Sequence, residues 1–293
     1  TGDQPFFLNV GFLNPHDCCF PAMAHGGPSK YAFAPRVEDQ LPPLPDNFDY
    51  DYPQGRPNTR DWSLQDWRYY IYVYHRMVEM VDREIGRVYD TLNQSPYADN
   101  TLLIFASDHG DGLAYHAKTS KGFLEEEAFH VPTLVCWPGQ IPGNIRDTDH
   151  LVSGVDIPAT ICDYAGAPPL PKTTIARSLR PLLEGQNTRW RDYLIGETSI
   201  GGVATAVRTA QYKSIITPEN TRLYNLSDDP LETRDLADNP DHAETCKQHR
   251  NHFREYIHQI EIYPEPDIDT TQLKRGNLYR EYIDWYESVQ AET

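Results

Sequence analysis

The chain has 293 residues, a formal net charge of −17, and 39% hydrophobic against 24% charged residues. That length can bury a large core as a main domain plus a smaller appended one, and the acidic balance argues against nucleic acid as a partner, since phosphate binding needs clustered Lys and Arg. No apolar run approaches the roughly 18 residues that cross a bilayer, and the five cysteines show no CxxC spacing that would suggest a zinc knuckle.

Taken from the start, Phe6 to Phe12 is an apolar run that predicts a buried strand. It leads into Asn14-Pro15-His16-Asp17. Residues 21 to 61 are rich in Pro, Gly, Asp and Tyr, which predicts an irregular, exposed excursion. Ser63-Leu64-Gln65-Asp66 has the form of a helix cap. Beyond it Trp67, Tyr70, Ile71, Tyr74, Met77, Val78, Val81, Ile85, Val88 and Leu92 recur at helical spacing as a broad apolar stripe. His75, Glu79 and Asp82 read as solvated or capping residues of that helix.

Leu102 to Ala106 is apolar without alternation and too short for a helix, the pattern of a central parallel strand covered on both faces. Ser107, Asp108, His109 and Gly110 follow at its carboxyl end, where ligands collect in open α/β sheets. Such a turn is by itself an ordinary polar one. A carboxylate and an imidazole emerging there, before a glycine that permits a tight turn, also suit a metal ion. His116, Lys121 and Glu125-Glu126-Glu127 come next, then a strand over Val131 to Trp137. Asp156 reads as the N-cap of a further helix. Short strands are predicted over Tyr193 to Glu197, Val203 to Arg208 and Tyr212 to Ile216, and Arg208 is expected in a surface ion pair. The tail from His242 reads as helical to about Ile262.

The order S-D-H-G, H, K, E-E and V-P over Ser107 to Pro132 resembles the second signature of the sulfatases, in the alkaline-phosphatase superfamily. The resemblance extends through Pro5 to Leu8, Val10, Phe12, Pro15 and His16, and through Tyr74, Val78, Asp82, Ile85, Gly86 and Arg87. It continues at Ala176 to Gly185 and at Leu223 to Glu232. It implies an alkaline-phosphatase-like doubly wound α/β sheet, of which residues 1–188 would be the C-terminal part, followed by a smaller α+β subdomain over 189–293. It also implies hydrolysis of a sulfate ester on a sulfated sugar or glycosaminoglycan. Asp108 and His109 would hold a divalent metal, calcium by family precedent, and Lys121 would neutralise the sulfuryl oxygens. His16 would be the general acid, and His116 a pocket or supporting residue. Aromatics of the long excursion, Tyr50, Tyr52 and Trp62, could stack on a sugar or simply pack locally.

No cysteine or serine here sits in the C-x-P-S-R or S-x-P-x-R motif that yields the family's formylglycine nucleophile. That residue is therefore expected on an upstream segment, without which the chain would be inactive. The family implies a secreted, periplasmic or lysosomal location. Cys18 after Pro15-His16 resembles the P-H-x-C of heparan N-sulfatases, which keeps sulfamate hydrolysis open. A phosphatase or phosphodiesterase of the same superfamily also stays open, as does a non-catalytic sulfoglycan-binding relative.

Overall fold

A computed structural model describes residues 5–18, 35–49, 59, 62–168, 175–200, 202–260 and 276–291. The chain packs as two compact units, Thr1–Ala98 with Gly112–Ser120, and Asp99–Asp111 with Lys121–Thr293.

The first unit is built on α1, Leu64–Asn93. Its start is the expected capping box: the Asp66 backbone N–H donates to Ser63 Oγ at 3.2 Å, and the Ser63 N–H donates to Asp66 Oδ2 at 2.8 Å. These bonds satisfy donors that no helical carbonyl can reach. Trp67, Tyr70, Ile71 and Val73 on the first turns pack with Cys18, Trp62, Ala114 and Ala117 into one core. Trp62 meets Trp67 edge-on with ring centroids 4.9 Å apart. A buried aromatic of this size removes roughly 150–250 Å² from water, about 4–6 kcal/mol of transfer free energy. Trp62 is therefore a core residue and unavailable for stacking on a sugar; Tyr50 and Tyr52 lie outside the described residues. Leu41 and Asn47 are also buried, so this part of the excursion is packed rather than solvated.

Two expectations fail in this unit. Phe6 to Phe12 forms no strand and its side chains are exposed, Phe7 by 73%. An apolar run becomes a strand only where other strands accept its hydrogen bonds, and among the described residues none lies beside it. The stripe of α1 is likewise fully covered only over its first turns; further along Met77, Val81, Ile85 and Leu92 are half-buried and Val78 and Val88 exposed. His75, Glu79 and Asp82 are solvated as expected.

The second unit opens with β1 (Leu103–Ala106), a short helix α2 (Glu126–Phe129) and β2 (Thr133–Cys136). β1 does not pair in parallel as expected. It pairs with β2 antiparallel, Leu103 opposite Cys136 and Ala106 opposite Thr133. The reason is tertiary: the intervening chain brings β2 back alongside β1, and strand direction is invisible to an apolar count. Helix α3 (Asp156–Tyr164) follows, with Val155 rather than Asp156 at its N-cap. The Asp156 carboxylate is fully buried and is gripped by Arg191 through two bonds of 2.6 and 2.7 Å. It also accepts from the Ser153 and Arg177 backbone N–H groups. It is thus a staple between distant segments rather than a cap.

β3 (Tyr193–Thr198), β4 (Ala204–Thr209), β5 (Tyr212–Ile216) and β6 (Thr221–Asn225) form a four-stranded antiparallel sheet in sequence order. The first three match the predicted strands to within a residue; β6 is new. The side-chain period of 2 sorts the sheet into two faces. Val207, Ile216, Thr205 and Ser214 face α4 (Ala243–Gln259) and α5 (Gly276–Ala291), whose Phe253, Ile257, Tyr286 and Val289 complete a core. On this face the Thr205 hydroxyl bonds those of Tyr282 and Tyr286. The His249 ring sits 2.9 Å from Ser214 Oγ, and burial pushes its pKa down to about 4, so it is neutral near pH 7.

The opposite face carries Ala206, Ile215 and Tyr224, packed with Leu124 and Phe129. It also carries charge. Lys213, fully buried, reaches Glu126 Oε1 at 2.9 Å and Glu232 Oε1 at 2.7 Å. Arg222 donates to the buried Glu125 at 3.0 Å. Arg208 stands 4.0 Å from Glu126, the ion pair expected of it though partly buried.

Burial raises the Glu232 pKa from 4.5 to about 7, more than the neighbouring Lys213 lowers it. The folded protein therefore holds a proton that the unfolded chain releases. The associated stability is fully present below pH 4.5 and is lost as the pH rises through 7. The interval corresponds to about 3 kcal/mol. Glu232→Gln, which cannot ionise, is expected to match the wild type near pH 4.5 and to be more stable by up to that amount near pH 8. Urea unfolding at both pH values checks this, and a difference independent of pH would refute the assignment.

Candidate active site

β1 delivers Ser107 to Gly110 from its carboxyl end, and local bonds shape the turn. Ser107 Oγ donates to the His109 carbonyl at 2.8 Å, and the His109 N–H donates to Asp108 Oδ1 at 3.0 Å. His109 Nδ1 lies 2.7 Å from the Gly110 carbonyl and must carry the proton there, since a carbonyl only accepts. Nε2 therefore keeps its lone pair and faces Lys121 Nζ at 2.7 Å, so the ammonium donates to it. Asp108 Oδ2 is 3.4 Å from the same nitrogen, and its side chain is 82% exposed.

Gly110 is required by a close approach. Its N–H donates to the Ala128 carbonyl at 2.9 Å, and a Cβ at this position would collide with the Glu127 carbonyl of α2. On the other side of the site, Gly122 has φ +103, and a Cβ there would fall 2.6 Å from Ile200 Cγ2. Glycine thus lets both ends of the site-bearing loop pack against neighbouring elements.

Asp108, His109 and Lys121 are brought together within the second unit. His16 and His116 belong to the first. His16 opens a short 3-10 turn, His16–Cys18, half-exposed, with Nδ1 3.8 Å from Asp17 Oδ1. Cys18 two residues on is buried, its Sγ 3.7 Å from the Tyr70 hydroxyl. His116 is buried; its N–H donates to the Asn47 carbonyl at 3.2 Å and its ring lies 3.4 Å from Asn47 Nδ2. Around it Leu113, Ala114, His116, Ala117 and Ser120 all have positive φ. A non-glycine residue held in this region costs of order 1–3 kcal/mol, and such strain clusters at functional sites.

The residues that buttress this site were not evident in the sequence. Lys213 lies inside a short predicted strand, and Glu125 and Glu126 in a run of three glutamates. A lysine within a short strand is the one local signal of the cluster, and it does not name a partner.

Residues 1–167 match the sulfatase family, and residues 115–259 match the C-terminal region of N-sulphoglucosamine sulphohydrolase. The chain belongs to the sulfatase family. It is 28% identical over 281 residues to a Δ4,5-hexuronate-2-O-sulfatase of Bacteroides thetaiotaomicron, covering 87% of this chain and 57% of that protein. Among solved structures, a 2-O GAG sulfatase superposes with a TM-score of 0.72 at 25% identity, over 86% of this chain and 60% of that one. A structure in complex with D-glucosamine-2-N,6-O-disulfate gives 0.60 at 26% identity, over 67% and 42%. The chain therefore has the alkaline-phosphatase-like α/β fold, and it spans a little over half the length of the sulfatases it matches over most of its own residues.

The family implies a divalent cation. Among the described residues of this sulfatase chain no three His, Cys, Asp or Glu converge as a metal site. Asp108 and His109 nevertheless fit as two of its ligands: an exposed carboxylate lies beside an imidazole whose Nε2 lone pair is oriented by the bond from Nδ1 to Gly110. Metal-bound histidines are usually fixed in this way through their other nitrogen. Lys121 faces the same lone pair, so a cation bound there would require Lys121 Nζ to turn elsewhere. Among the described residues no helix is long and apolar enough to cross a membrane.

Proposed function

We propose that this chain is the C-terminal part of an extracytoplasmic sulfatase that hydrolyses sulfate esters on a sulfated sugar or glycosaminoglycan. The observation that carries the reading is the meeting of Lys121 with His109 beside Asp108 at the end of β1, in a chain of this family. Residues 1–188 would contribute to the catalytic domain and 189–293 would form the appended subdomain.

In this reading Asp108 and His109 hold the cation, calcium by family precedent, with the Nδ1 proton of His109 kept on the Gly110 carbonyl. Lys121 points its ammonium at the sulfuryl oxygens, where negative charge grows in the transition state. His16 would give a proton to the leaving oxygen as the S–O bond breaks, and His116 would be a pocket or supporting residue as the family resemblance implies. When present, the family's formylglycine would supply the attacking oxygen and a cation held by Asp108 and His109 would supply fixed positive charge. We place that nucleophile on an upstream segment.

Turnover by the complete protein tests the reading. Sulfate release from an aryl sulfate and from sulfated disaccharides should exceed phosphate release from the matching phosphate esters; the reverse order would make it a phosphatase or phosphodiesterase. His16→Ala should slow alkyl and sugar sulfates most and aryl sulfates least, because a phenolate leaves with little need of a proton. An equal loss for all leaving groups would remove His16 from the acid role.

Sulfamate hydrolysis is the second reading, favoured by the match of residues 115–259 to the N-sulphoglucosamine sulphohydrolase C-terminal region. Cleavage of an N-sulfated glucosamine faster than its O-sulfated isomer would select it.

A further inference from the structure

Neither residues 107–110 nor residues 121–125 have helix or strand structure of their own. The placement of His109 and Lys121 must therefore come from what these segments rest on. Gly110 rests on the backbone of α2, through its bond to Ala128 and its close approach to Glu127. Helix α2 in turn is held from both ends of Glu126: its carboxylate is bound by Lys213 of β5, and its backbone N–H donates to Glu232 Oε2 at 2.7 Å. Lys213 Nζ also stands 5.3 Å from the Phe129 ring centre, at the other end of α2. On the Lys121 side, Glu125 is bound to Arg222 of β6, and Leu124 packs with Ala206, Ile215 and Tyr224. One face of the antiparallel sheet thus carries both halves of the site.

We propose that the Lys213–Glu126–Glu232 cluster is a positioning device that sets α2 on the sheet and, through α2, aligns His109 with Lys121 for catalysis. The proposal rests on the sulfatase reading above. A buried lysine between carboxylates is a poor choice for stability alone, because replacing a buried ion pair by apolar residues of similar volume is often neutral or stabilising. What charged groups add at this place is a directional bond, fixing where Glu126 sits in a way that apolar contact does not. The bonds that Lys213, Glu126 and Glu232 make with one another run through α2 and the sheet. Their effect on turnover passes through α2 and Gly110.

The test uses the complete protein with 4-nitrophenyl sulfate and a sulfated disaccharide. The double variant Lys213→Met with Glu232→Leu, where it folds, should keep its KM within about twofold while kcat falls about a hundredfold, the loss expected from a shift of about 1 Å in a catalytic group. Glu232→Gln decides the matter if the pair variant does not fold: near pH 8 it should be more stable than the wild type and yet lose kcat about tenfold, an opposition that a purely structural role would not produce. A folded pair variant with wild-type kcat would overturn the proposal, as would Glu232→Gln with unchanged kcat. A wild type that releases no sulfate from either substrate would overturn the sulfatase reading, and this inference with it.

Discussion

Lys121→Ala in the complete protein is expected to lower kcat on the order of a hundredfold, the loss of about 3 kcal/mol typical when one preorganised charge partner of a transition state is removed. Stability should change less than turnover, because the ammonium ends a side chain that is only half-buried and meets His109 Nε2 at the site. KM should rise less than kcat falls, since charge on the sulfuryl oxygens grows as the S–O bond stretches. Steady-state kinetics with an aryl sulfate, set beside an unfolding curve, separate the two effects. A drop in turnover matched by an equal drop in stability would make Lys121 a support for His109 rather than a group that meets substrate.

The Asp108→Ala variant is expected to lose the bound cation from the complete protein and, with it, on the order of a thousandfold in kcat, several kcal/mol of charge stabilisation. Its carboxylate accepts from the His109 N–H and is otherwise turned to solvent, so the fold depends on it little. Elemental analysis of wild type and variant side by side reads the metal directly. It also tests the identity of the ion: an imidazole is an unusual donor for calcium, a hard cation that prefers oxygen, and suits softer metals better. Equal metal content in the two proteins would dismiss Asp108 as a ligand.

Features that depend on neighbours along the chain are legible in the order of residues. The capping box at Ser63 and Asp66 is one, because cap and helix lie within one turn and close their own bonds. The glycine after Asp108-His109 is another, a residue suited to a tight local turn, and it also makes a close approach to α2. The first three strands of the antiparallel sheet are visible too, since alternation and short turns are written over a few residues. The triplet Asp108, His109 and Lys121 comes from the resemblance to the sulfatase signature, and in the structure Asp108 and Lys121 both lie beside His109 Nε2.

What the sequence left open was the choice of long-range partner. The apolar content of Leu102 to Ala106 says that the run seeks cover, yet not that β2 lies antiparallel to it. The same content in Phe6 to Phe12 goes uncovered among the described residues, because burial belongs to the partner surface as much as to the run itself. Asp156 reads as a cap until Arg191, 35 residues away, takes its carboxylate. Lys213 meets Glu126 across 87 residues, and Glu126 meets Glu232 across 106. At such separations nothing in the local pattern distinguishes a solvated charge from a buried one. Only the closing of the sheet face over α2 decides that a lysine in a short strand and a glutamate in a run of three meet in one ion pair.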